Sequence, residues 1–290
     1  MTSLSRAQSV ETTDQPVASG QSWDPDVRVS LGRVIRSEWI KLWSVRSFWI
    51  GLVAAFVVAV GFGVLFSAFA GSQPGDGGGP GPGGPGAGGA DPVSLSLAGF
   101  NLAVLIVGVL GVLLVTSEYG SGLIRATISA VPRRIPVLVA KVIVFGVVTV
   151  LVMAAAALVA FYASGSVYSG SEALLAIADP GVLRAVLGTA LYTTVAGLIG
   201  VALGFLLRST AGSIGVLFGL LLIVPGLSGL LPGAWGDTLP DYLPSNAGAA
   251  LTSIQSNGDM LSVGAGAAVL ALWVAGFVVA AGVALKYRDV

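Results

Sequence analysis

Between two long apolar stretches, Ser117–Lys141 gathers side chains able to do ionic and hydrogen-bonding chemistry: Ser-Glu-Tyr-Gly-Ser-Gly-Leu-Ile-Arg-Ala-Thr-Ile-Ser-Ala-Val-Pro-Arg-Arg-Ile-Pro-Val-Leu-Val-Ala-Lys. Glu118, Arg125, Arg133 and Arg134 can form charge-assisted hydrogen bonds. Gly122 and Pro132 bound a helix-length stretch, Leu123 to Ala130. Arg133 and Arg134 taken alone could be a positive-inside anchor that only fixes topology, but such an anchor does not need a helix of its own. Bond-making chemistry lacks its usual groups, because the chain has no Cys and no His, which removes disulfides, thiolate and imidazole metal ligands and His-based triads. The three lysines, Lys41, Lys141 and Lys286, follow Ile, Ala and Leu, so none completes the Gly-Lys-Ser/Thr of a phosphate-cradling loop. Gly79, Gly81 and Gly84 make a G-x-G-x-x-G, but it lies among prolines with no strand before it and no helix after it, and a nucleotide role there is rejected. The expectation is a chain with no catalytic residue, no metal and no cofactor of its own.

A second candidate lies at residues 30–46. Ser30 is placed to cap a helix, and Leu31, Val34, Ile35, Trp39, Leu42 and Trp43 recur at helical spacing. Arg33, Arg36, Lys41 and Arg46 fall mostly elsewhere. An apolar stripe with two tryptophans beside basic residues suits a helix lying in the membrane interface, because indoles favour the headgroup layer and cations favour anionic lipid. Glu38 falls near that stripe. It can pair with Lys41, three residues on, or with a basic residue near the helix-length stretch Leu123 to Ala130.

The elements that must position these groups are apolar helices. Of the 290 residues, 55% are apolar and only 10% charged, with mean hydropathy +0.92, a composition unlike that of a soluble domain. Formal net charge is zero, so charge offers no case for a nucleic-acid partner. Six stretches approach the roughly 20 residues that cross a bilayer: Phe48–Phe69, Leu97–Thr116, Ile135–Tyr162, Ala185–Leu207, Ala211–Leu231 and Val263–Leu285. Pro225 is expected to kink the fifth. None carries an ionisable residue near its middle, which disfavours an ion-coupled carrier. Hydroxyls such as Ser67, Thr149 and Thr193 are expected to join helices, together with the small residues.

Of the 14 basic residues, all but Arg184 fall on the side of the N-terminus. Asp76, Asp91, Glu172, Asp179, Asp237, Asp241 and Asp259 fall on the other. By the positive-inside rule both termini are cytoplasmic. Residues 1–29 are polar and predict a disordered tail. Residues 71–92, dominated by Gly and Pro, predict a linker on the outer side, and 232–262 an outer loop containing short helices. The predicted fold class is therefore all-α integral membrane: one six-span domain over 30–290, with an interfacial elbow helix at 30–46 and a cytoplasmic coupling segment at 117–134 between the second and third spans.

Three segments resemble the permease subunit of type-2 ABC transporters. Residues 37–47, Ser-Glu-Trp-Ile-Lys-Leu-Trp-Ser-Val-Arg-Ser, are similar to the family's elbow helix. Glu118, Tyr119, Gly122, Ile124, Arg125, Pro132, Arg133 and Arg134 follow its Glu-Tyr-x-x-Gly-x-Ile-Arg…Pro-Arg-Arg coupling pattern. Tyr242–Gly248 resembles an outer-loop motif common in actinobacterial members. The resemblance implies a bacterial plasma-membrane exporter of hydrophobic or amphipathic substrates: a homo- or heterodimer of permeases resting on two copies of a separate ABC ATPase, which alone holds ATP and Mg. In that setting Glu38, Trp39, Lys41 and Trp43 mark the elbow helix, and the coupling segment docks on the ATPase. The alternative is a non-transporting immunity or regulatory protein on the same architecture.

Overall fold

The computed structural model describes residues 30–70, 91–122, 135–168, 175–228, 230, 238–254 and 261–287. Among them every regular element is helical. In chain order these are α1 (Leu31–Ser44), α2 (Arg46–Ala70), α3 (Pro92–Ser96), α4 (Phe100–Gly120), α5 (Ile135–Val167), α6 (Val182–Leu207), α7 (Thr210–Ser228), α8 (Pro244–Thr252) and α9 (Val263–Tyr287), with a short 3₁₀ turn at Pro240–Tyr242. Six of these, α2, α4, α5, α6, α7 and α9, are long and apolar enough to cross a membrane.

Their boundaries correct several expectations. The second span begins at Phe100 rather than Leu97, because residues 97–99 form a turn that separates it from α3, a short helix capped by Asp91, whose carboxylate accepts from Val93 and Ser94 N–H at 3.0 and 2.9 Å. Asp91 and Pro92 thus belong to α3 rather than to the 71–92 linker. The same span runs past Thr116 through Ser117–Gly120, so the first residues of the 117–134 segment are its last turn. Gly122 adopts a left-handed φ of 72° just beyond the Ser121 cap, which a glycine does without a Cβ penalty. The third span is longer than expected, 33 residues to Val167. The interfacial helix stops at Ser44, and Arg46 already opens α2. The irregularity expected at Pro225 is a π-turn at Gly219–Ile223, where Val224 N–H reaches back to the Gly219 carbonyl. Proline lacks the N–H that would serve Leu221, and the ladder widens just before it.

α6 is the hub: 72% of its most apolar window is buried, against 17% for α7. It packs mainly on α4, and glycines set the distance between the two. A Cβ on Gly111 would collide with the Gly197 carbonyl, and one on Gly200 with the Gly108 carbonyl. Small residues permit this close approach where lipid tails give helices little hydrophobic reason to associate. Hydroxyls contribute less between helices than expected. Thr193 donates to its own helix at Thr189 (2.8 Å), while Ser67 and Thr149 are buried without a hydrogen-bond partner among the described residues. The interhelical contacts come instead from Thr210, which donates to Thr116 across 2.9 Å, and Ser213, which donates to the Leu203 carbonyl at 3.1 Å. Both lie beside the two-residue α6–α7 turn, where Arg208 takes a left-handed φ of 52°.

Within 232–262 the described part holds the 3₁₀ turn and α8, and that helix is not superficial. α8 buries Ala247, Gly248, Ala250 and Leu251. Arg184 donates to the Ala250 and Ser253 carbonyls at 3.1 and 2.9 Å, serving acceptors that a helix C-terminus leaves unpaired. Arg184→Met is expected to cost about 1.5–3 kcal/mol locally. Hydrogen exchange over 244–253 should then speed up by about tenfold or more while α2 and α5 stay protected.

Candidate functional site

The site is a cluster of four charges at one end of the bundle, built from three elements. α1 supplies Glu38 and Lys41, the last turn of α4 supplies Glu118, and the second turn of α5 supplies Lys141. Lys141 is 1% exposed, and its Nζ donates to Glu38 Oε2 at 2.8 Å and Glu118 Oε1 at 2.9 Å. Lys41 Nζ lies 2.7 Å from Glu118 Oε1 and 3.5 Å from Glu38 Oε1. Both alternatives for Glu38 are therefore realised, and the partner 103 residues away is the nearer. Two ammoniums and two carboxylates cancel, as a buried cluster must to offset desolvation. Glu118 Oε2 is buried and has no hydrogen-bond partner among the described residues.

α1 fits this site by dividing its surface in three. Val34, Glu38 and Leu42 are buried at i, i+4, i+8, and Val34 joins Val137 and Ala140 of α5. Trp39 and Trp43, about 100° round the helix from Glu38 and Leu42, are 39% and 57% exposed. Arg33 and Arg36 are exposed as well. The expected single apolar stripe is thus two: one packs on protein, and the other offers indoles outward. Trp43 packs against Trp49 of α2 with the rings tilted by 40°, centroids 4.7 Å apart, across the bend at Val45.

Tyr119, next to Glu118, meets Phe205 edge-on, and the Arg208 guanidinium lies 5.4 Å from its ring centroid, which ties the end of α4 to the α6–α7 turn. Of the predicted coupling residues, Glu118, Tyr119 and Gly122 fall here; Ile124, Arg125, Pro132, Arg133 and Arg134 lie outside the described residues, as do residues 1–29 and 71–90. Lys141 was visible to sequence reasoning only as the end of a polar segment. Its signal was a lone lysine in Val-Leu-Val-Ala-Lys-Val-Ile-Val, an ionisable group inside an apolar helix, which by itself asks for a buried partner.

A cleft of about 530 Å³ opens beside the cluster, between the α1–α2 bend, α4 and α5. The contacts Tyr119–Arg208, Thr116–Thr210, Glu118–Lys141 and Gly282–Leu138 put the end of α4, the start of α5, the α6–α7 turn and the end of α9 at this same end. Lys41, Lys141, Arg208 and Lys286 therefore collect there, with Arg184 at the other end. Helix lengths, apolar surface and this arrangement define a multi-pass helical membrane protein. The chain matches no known family model and no curated protein.

Proposed function

We propose that the chain is the membrane-spanning permease subunit of an ATP-binding cassette exporter, with both termini on the cytoplasmic side of a bacterial plasma membrane. Its partners would be a second permease chain and two copies of a separate ATPase carrying ATP and Mg. The observation that carries the reading is the four-charge cluster. It binds α1 to both helices that flank residues 123–134, α4 and α5, at the end where basic residues collect. A displacement of that segment by a partner would move three helices as one body, because breaking any link exposes a buried charge. Such rigid-body shifts are a standard way to convert a local event into a change of access. The elbow helix, with indoles outward and arginines exposed, would ride in the headgroup layer. The cargo class suggested by spans rich in apolar and small residues is a hydrophobic or amphipathic molecule.

Copurification in mild detergent with a candidate ABC ATPase tests this. The ATPase is expected to stay with the wild-type chain, and Arg125→Glu combined with Ile124→Asp should reduce its retention by about tenfold, the loss of roughly 1.4 kcal/mol or more of docking energy. Absence of any associated ATPase, or retention unchanged by both substitutions, would overturn the exporter reading and favour a non-transporting immunity or regulatory protein.

A further inference from the structure

We infer that the cleft beside the cluster binds one uncharged amphiphile with a hydroxyl head and an apolar body. The four charges of the cluster sum to zero, so a cationic or an anionic head would each add a charge that the cluster does not compensate. What it lacks is one hydrogen-bond donor and one acceptor. Glu118 lines the cleft and is 8% exposed, yet its Oε2 is buried and meets no donor among the described residues. Lys41 lines the same cleft with the most exposed side chain of the four, 25%. Its ammonium carries three donors and faces two carboxylate oxygens, Glu118 Oε1 at 2.7 Å and Glu38 Oε1 at 3.5 Å, so one donor is left over.

A hydroxyl is the simplest head that gives one bond and takes one. An ammonium cannot accept, a carboxylate cannot donate, and neither can an ether. Lys41 Nζ already touches the carboxylate that carries the orphan oxygen, so one hydroxyl reaches both after a small turn about the terminal torsion of Glu118, which has a broad minimum. Ser44 and Ser121 also line the cleft, but their hydroxyls donate to the Lys41 and Ser117 carbonyls at 2.7 and 2.9 Å. A water molecule would satisfy the same pair and leave the rest of the cleft unused. That rest is apolar: Leu110, Leu113 and Leu114 of α4 line it with Phe48 and Val144, and Leu113, 40% exposed, opens it on the flank of α4. From Glu118 to Leu110 it follows α4 for roughly 12 Å at 1.5 Å per residue, room for an alkyl chain that enters sideways from the bilayer.

The full chain in nanodiscs of phosphatidylcholine, whose headgroup carries no hydrogen-bond donor, is photolabelled with a diazirine-bearing dodecanol, and labelling of residues 110–121 is mapped by mass spectrometry. Dodecanol, dodecyl methyl ether, dodecylammonium and dodecanoate compete at equal mole fraction in the bilayer. Dodecanol should displace the label about tenfold more effectively than any of the others. Leu113→Trp fills the apolar part and should cut labelling by about tenfold, whereas Leu102→Trp, 44% exposed on the same helix but outside the cleft, leaves it unchanged. Equal displacement by the ether would mean that water alone serves the cluster and the groove takes any alkyl chain. Stronger displacement by the ammonium or the carboxylate would mean that charge selects the occupant, and equal labelling of the two tryptophan variants would place the probe elsewhere. Each of these results overturns the assignment. Binding is read on this chain without an ATPase, so its failure is distinct from failure of the exporter reading.

Discussion

Lys141→Met is expected to be the most damaging single substitution in the chain. The ammonium it removes is 1% exposed and holds both carboxylates of the cluster. Methionine matches its length but leaves Glu38 and Glu118 with Lys41 alone, one uncompensated negative charge in a buried site. Removing one partner of a buried ion pair costs about 3–5 kcal/mol, comparable with the whole stability of a marginal domain. Lys41→Met removes the same charge, yet water reaches that side chain, 25% exposed, and can replace part of what is lost, so a smaller effect follows. The charge account is separated from a packing account by Lys141→Met with Glu118→Gln. Neutrality is restored while the methionine stays, and at least half of the loss should return. Thermal unfolding in detergent, followed by loss of monodisperse protein, measures all three. If Lys141→Met melts within about 2 °C of wild type, well below the roughly 5 °C that a loss of about 3 kcal/mol should give in a chain of this size, or if the double variant is no better than the single, the cluster is not what holds α1 to α4 and α5.

Most of the bundle was legible because a single physical requirement, roughly 20 apolar residues per crossing, fixes the spans. The endpoints were less so. At the end of α4, Ser117, Glu118 and Tyr119 look like loop residues, and a hydropathy reading stops at Thr116. They stay helical because Glu118 finds two lysines from elsewhere in the chain, a tertiary fact no local window contains. The same limit governed α1. Spacing placed Glu38 near the apolar face, and sequence could offer Lys41 as a neighbour at i+3, but the register that brings α5 alongside, and with it Lys141, depends on packing. Thr193 shows the opposite failure. A hydroxyl in an apolar span was expected to join helices, whereas it bonds back to Thr189 in its own turn, the cheaper way to satisfy a donor where no partner is guaranteed.

The α4–α6 contact yields a prediction in which one kind of substitution has opposite signs at different places. Gly111→Ala and Gly200→Ala each add a methyl that would strike a backbone carbonyl, of Gly197 and Gly108 respectively. A backbone oxygen cannot rotate aside as a side chain can, so the helices must separate, at about 1–3 kcal/mol for each overpacked site. Gly215→Ala in α7 and Gly276→Ala in α9 add the same methyl where nothing lies within 4 Å. There the effect reduces to helix propensity, a gain of roughly 0.5–1 kcal/mol. Combining Gly111→Ala with Gly200→Ala should cost less than the sum of the two. Either methyl already moves the helices apart, and contacting sites do not add. Unfolding midpoints for the four single variants and the pair check this, with hydrogen exchange in α6 as the local readout. If all four alanines shift stability the same way, the glycines act only on the flexibility of their own helices. The opposite signs, with sub-additivity in the pair, would mean that closeness of approach holds the hub in place, and that a partner separating α4 from α6 must work against it.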